Sequence, residues 1–175
     1  MLLLLLALAL PPELTRFIEK GADAIAVEQG DLNRDGRGDY ALVVEWPAKE
    51  DIPRSLLIIV RGADGSLKLA KRSDKAVYCR ECGGMMGDPF QGIEIKKDRF
   101  VIHHYGGSAW RWGNDITFAW SRRDRTWQLV RVEDSSFHAG DPDHEKRTIR
   151  KPPRDFGKID LADFDPENYL GKGPK

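Results

Sequence analysis

The stretch Gly30-Asp31-Leu32-Asn33-Arg34-Asp35-Gly36-Arg37-Gly38-Asp39-Tyr40 runs directly into the apolar Ala41-Leu42-Val43-Val44. Side-chain oxygens fall at alternate positions 31, 33 and 35, with a fourth at 39, so a tightly curled loop can point all four at one centre. Ca²⁺ takes about six to eight oxygens, and an EF-hand-type loop supplies them from alternating side chains and one backbone carbonyl. Here that carbonyl is Arg37. Gly36 takes the sixth place, where the chain turns sharply and a residue lacking Cβ does so without steric cost. The expected ligands are therefore Asp31, Asn33, Asp35 and Asp39 by side chain and Arg37 by carbonyl, with Ca²⁺ as the cofactor. The alternative is an Asp/Asn/Gly-rich surface turn without metal.

An EF-hand requires a bidentate Glu at the twelfth loop position and a helix beyond it. The twelfth residue here is Leu42, inside a β-branched run, so the loop leads into a strand. The pattern Gly-Asp-Leu-Asn-x-Asp-Gly-x-x-Asp-Tyr-Ala-Leu-Val resembles the calcium loops of FG-GAP and related secreted repeats, which sit between strands. One copy is present, which argues against a propeller built from repeated blades.

Outward from the loop, Ile25-Ala26-Val27 reads as the preceding strand and Tyr40–Trp46 as the following one. The near-continuous apolar character of the latter implies a central strand buried on both faces. Leu56–Val60 and Leu67–Ala70 flank Gly62-Ala63-Asp64-Gly65 as a hairpin, and two more hairpins follow: Gly92–Ile95 with Phe100–Tyr105, and Ile116–Trp120 with Trp127–Val130. Leu14, Phe17 and Ile18 allow one short helical turn. The expected fold is all-β, an antiparallel meander forming a sandwich or partial barrel with little helix.

At 175 residues the chain supports one core, read as a β domain over 13–135 with the calcium loop at 30–40. The polar composition after Val132 is read as a loosely packed extension over 136–175. Lys plus Arg and Asp plus Glu both number 28 and are interspersed, which leaves no electrostatic footprint for nucleic acid or an anionic membrane. Residues 1–12 contain the apolar run Met1–Leu10, too short to span a bilayer and suited to a signal-peptide core, so the expected location is periplasmic or secreted. A monomer with an envelope or extracellular ligand, glycan or protein, is the corresponding expectation.

Cys79 and Cys82 are the only cysteines and flank a glycine-rich loop. In an exported protein a local disulfide is the first reading. A zinc half-site completed by histidines is the second. The segment from His103 to Asp115 holds His104, Tyr105, Trp110 and Trp112, a candidate ligand surface for a sugar ring or peptide, although Trp in a small β protein is mostly core filler. His103 and His104 are successive strand residues, so they point to opposite faces and do not form a metal pair.

The order Gly30-Asp-Leu-Asn, Asp39-Tyr-Ala-Leu-Val, Cys79-x-x-Cys-Gly-Gly, Gly87-Asp-Pro-Phe, His103-His-Tyr-Gly-Gly-Ser-x-Trp-x-Trp and a closing Trp-x-Leu resembles a group of small exported bacterial proteins across most of residues 15–165. That group has no assigned activity, so the resemblance implies export and the calcium loop and brings no catalytic residues with it. Two functions remain. One is a non-catalytic calcium-binding interaction domain of the cell envelope. The other is a small envelope hydrolase or zinc-dependent enzyme using His103 or His104 with Asp88 or Asp115.

Overall fold

In a computed structural model, residues 10–48, 52, 54–96 and 98–170 are described; the apolar leader at 1–9 lies outside them. The chain forms an antiparallel β-sandwich. Strands β1 (Asp23–Gly30), β2 (Asp39–Glu45), β3 (Arg54–Arg61) and β4 (Leu67–Val77) make one sheet in sequence order. Strands β5 (Phe90–Lys96), β6 (Arg99–Gly107), β7 (Trp110–Ser121), β8 (Thr126–His138) and β9 (Asp141–Arg150) make the other, also in sequence order. Neither sheet closes into a barrel. Among the described residues no helix is long and apolar enough to cross a membrane.

β2 is buried along its whole length, because each of its faces meets a different layer. Ala41 and Val43 point inward with Leu56 and Ile58 of β3, against Phe100, Ile102, Ile116 and Phe118 of the second sheet. Tyr40, Leu42 and Val44 point outward, where Leu14 and Ala22, with partly buried Phe17 and Ile18, cover them. Leu14 and Phe17 belong to a 3₁₀ turn at Pro12–Phe17, the short helical turn read from the sequence. Phe100 and Phe118 stack across the β6–β7 pair with centroids 5.4 Å apart.

The reading of residues 136–175 as a loosely packed extension is corrected over most of that range. Asp141–Arg150 forms β9, an edge strand whose backbone pairs with β8 while its side chains remain in solvent. Its charged composition carries no apolar alternation, and charge on an edge strand discourages pairing with other chains. Beyond it, Phe156, Ile159, Leu161, Phe164 and Tyr169 are buried in the main core. Few apolar residues suffice there because each fills the open side of the sandwich beside β4 and β8. Phe164 meets Phe118 edge-on at 5.4 Å and Tyr169 at 5.6 Å.

Phe164→Ala is therefore expected to cost about 3–5 kcal/mol in urea unfolding, as for a large aromatic removed from a packed core. A loss below about 1 kcal/mol would return this segment to a peripheral role.

Candidate functional site

The loop from Asp31 to Gly38 joins β1 to β2 and is held by its own carboxylates. Asp31 accepts the amides of Asp35 (3.1 Å, Oδ1) and Gly36 (2.9 Å, Oδ2). Asn33 Oδ1 accepts the Asp35 amide at 3.1 Å, and Asp35 Oδ1 accepts the Arg37 amide at 2.9 Å. These bonds curl the chain through left-handed backbone at Arg34 (φ 63°) and Gly36 (φ 80°). A Cβ at Gly36 would meet open space, so backbone conformation, and not crowding, is what favours glycine there.

Asp39 closes the loop from the first position of β2. It is fully buried, with Oδ2 accepting the Leu32 amide at 3.0 Å and Oδ1 the Arg61 amide at 2.9 Å. Burial raises its carboxyl above the ordinary range; the two amides oppose that, and the charges of Asp35 and Asp31 add to it. One ligand oxygen from each of Asp31, Asp35 and Asp39 lies within 4.8 Å of the others. Two oxygens bound to one Ca²⁺ at its usual distances are at most about 5 Å apart, so the carboxylates are already spaced to share an ion. Asn33 Nδ2 (2.9 Å) and the Arg37 guanidinium are directed at Asp35 Oδ2 and offset part of the negative charge.

The loop is anchored to both sheets. Leu32 is fully buried in the main core, and its carbonyl accepts the Trp127 indole N–H from β8 at 2.8 Å. Arg34 pairs with Asp98 in the β5–β6 turn, and Arg37 Nε donates to the Arg61 carbonyl at 2.8 Å.

In the second dense region Cys79 and Cys82 form a disulfide, with Cα atoms 5.1 Å apart, which leaves no thiolate for a zinc site. The glycine-rich segment they staple is docked by Arg54, a buried guanidinium at the start of β3. Arg54 grips Asp88 with two parallel bonds of 2.7 and 2.6 Å and Glu45 with bonds of 2.9 and 2.7 Å. Arg80 also pairs with Glu45. Asp88 is thus engaged in a structural ion pair. No local motif marks Arg54, although a cation opening a buried strand signals a need for carboxylate partners.

The histidines separate as strand geometry requires. His103 lies on the outer face of the second sheet, where Nδ1 donates to Asp115 at 2.7 Å. His104 lies on the inner face, 2% exposed, with Nε2 accepting the Tyr78 amide at 3.2 Å and the Tyr78 ring 4.3 Å away. An acceptor Nε2 places the proton on Nδ1. Burial pushes His104 down to about 4, with Asn114 opposing the shift. The expected ligand surface divides as well. Trp110 is 62% exposed and edge-on to His138 at 5.3 Å, whereas Trp112 is partly buried and edge-on to Tyr78 at 5.8 Å. Tyr105 is partly buried and its amide donates to the Pro89 carbonyl at 2.8 Å. His104, buried and neutral, supports this surface from beneath and offers nothing to solvent.

Fold and site together define an antiparallel β-sandwich with an acidic loop between its first two strands. No protein-family model and no curated protein matches the sequence. A solved structure described as a Xanthomonas type IV secretion system related protein is similar at 13% identity with a TM-score of 0.43, over 78% of this chain. The chain spans 57% of that protein's length. A likeness of this size carries no functional argument.

His104 generates a pH prediction. Its folded-state value of about 4 lies below the ordinary 6.5, so the unfolded chain binds the extra proton. The stabilising contribution is complete above about pH 6.5 and is lost as pH falls toward about 4, a change of about 3 kcal/mol. Urea titrations across that window should show this slope in the wild type and its loss in His104→Gln, measured relative to each protein at neutral pH.

Proposed function

We propose that this chain is a calcium-clasped, non-catalytic binding domain of the cell envelope. The observation that carries the calcium reading is the convergence of Asp31, Asp35 and Asp39 oxygens within 4.8 Å of one another, in a loop whose amides already orient them. Asp31, Asn33, Asp35 and Asp39 by side chain and Arg37 by carbonyl would hold the ion. All are oxygen donors, the chemistry a hard cation takes. Bound calcium neutralises carboxylates that repel one another. Leu32 and Asp39 pass that stabilisation into the core and to β3.

The disulfide and the apolar leader support an exported location, since cystines persist in oxidising compartments. The arrangement of the histidines favours binding over catalysis. The enzyme alternative needs His103 or His104 to meet Asp88 or Asp115 in one accessible pocket. Of these, His104 is buried and Asp88 is committed to Arg54; His103 and Asp115 do meet in an open cleft on the outer face of the sheet, but among the described residues no serine or cysteine lines it with them.

Lacking the bidentate Glu, the loop is expected to bind with a dissociation constant of roughly 10⁻⁴ to 10⁻³ M. Millimolar calcium then adds about 0.4 to 1.4 kcal/mol and raises the melting temperature by roughly 1–5 °C over chelator. Asp35→Ala should abolish that difference. If wild-type melting curves in calcium and chelator superimpose, and titration calorimetry detects no heat at millimolar calcium, the loop is a turn and the clasp does not exist.

A further inference from the structure

At the end of the sandwich opposite the acidic loop, three turns lie side by side. The glycine-rich turn at 83–87 is stapled at its base by the Cys79–Cys82 disulfide and passes through left-handed backbone at Gly84 (φ 66°) and Gly87 (φ 76°). It rests on the β6–β7 turn so closely that a Cβ on Gly84 would stand 3.3 Å from the Gly107 carbonyl oxygen. The β8–β9 turn abuts from the other side, with the Ala139 amide donating to the Ala109 carbonyl at 2.7 Å and Trp110 edge-on to His138 at 5.3 Å.

Residues 83–87, 106–110 and 138–140 contain no Asp, Glu, Lys or Arg. Charged residues make up 32% of the chain, so thirteen positions at one end without any set this surface apart from the rest. In their place Met85 is 87% exposed, Trp110 62% and Met86 43%, three large apolar side chains on turns otherwise built of Gly, Ala, Ser and His. The amides of Gly87 and Ser108 are met within their own turns, by the Gly84 carbonyl at 3.0 Å and the Trp110 carbonyl at 2.9 Å. With Ala139 they are amides that lose little on leaving water.

Exposed apolar side chains gathered at one place mark a contact surface. Each side of an ordinary protein–protein interface offers about 800 Å² from roughly 20–30 residues, more than three narrow turns supply. A bilayer interface asks for less: apolar side chains that project beyond the backbone, with an indole among them, since Trp favours the boundary between headgroups and acyl chains. The charges next to the turns in sequence, Glu81, Asp88, Arg111 and Asp141, give no cationic excess and hence no attraction for anionic headgroups.

We infer that this uncharged end docks on the interface of a zwitterionic lipid bilayer, with Met85, Met86 and Trp110 inserted at the level of the headgroups. The inference rests on the reading of the domain as an exported envelope protein, which puts a membrane within reach, and adds the surface it meets.

The test is flotation of the full chain with phosphatidylcholine vesicles at millimolar lipid. The wild type is expected to float with the vesicles. Met85→Ser and Trp110→Ser, both at exposed positions, should each weaken binding by about fivefold or more, whereas Leu69→Ser, at an exposed position of β4 toward the far end of the sandwich, should not. The calcium-dependent rise in melting temperature should be the same in all four proteins. No flotation of the wild type, flotation undiminished in either turn variant, as attachment through the apolar residues 1–10 would give, or flotation with anionic lipid alone overturns the inference and leaves the calcium clasp standing. Concentration-dependent self-association that Met85→Ser abolishes in sedimentation assigns the surface to a second copy and also overturns it. Flotation that needs Met85 and Trp110 in a protein without a calcium effect overturns the clasp alone.

Discussion

A carboxylate with no exposed surface is costly unless its lone pairs are met, and Asp39 is placed in that position at the start of β2. It takes one amide from Leu32 in the loop and another from Arg61 at the end of β3, so three consecutive segments of chain are fixed by one side chain. Leu32 then extends the junction across the sandwich, placing its side chain in the core and its carbonyl on the Trp127 indole. The acidic loop is consequently part of the packed interior. Any ion it holds acts on both sheets.

The opposite end of the second sheet is organised by a different set of constraints. A disulfide shortens the glycine-rich segment, and Arg54 ties that segment to the first sheet through Asp88. The last strand residue before the disulfide is Val77, and Tyr78, next in the chain, packs against His104 and Trp112. Tyr78, His104 and Trp112 therefore sit beside a segment held in place by pairing with the buried Arg54 guanidinium. Removing one partner of such a pair leaves the other charge buried and costs far more than the pair contributes.

Where local chemistry is self-sufficient, the sequence is legible. The alternating oxygens and Gly36 define the loop, and the continuous run from Tyr40 announces a strand covered on both faces. The hairpins follow from Gly62-Ala63-Asp64-Gly65 and its counterparts. Legibility ends where structure depends on a distant partner. β9 has no apolar pattern of its own and exists because β8 offers it a hydrogen-bonding edge. Phe156, Leu161 and Phe164 stand among charged residues, and only the gap they fill makes them core. Met85, Trp110 and His138 lie at sequence distances of 25 and 28, so no window along the chain brings their turns together. Nor does any local signal predict that Tyr78 meets Trp112.

The closing of the sandwich by residues 156–169 sets an order on synthesis. Phe118 and Trp127 belong to β7 and β8, yet their neighbours in the core include groups that leave the ribosome some 40 residues later. A nascent chain cannot complete this core until that segment emerges, and remains open and loosely held until then. The last residues to arrive are those that lock the domain.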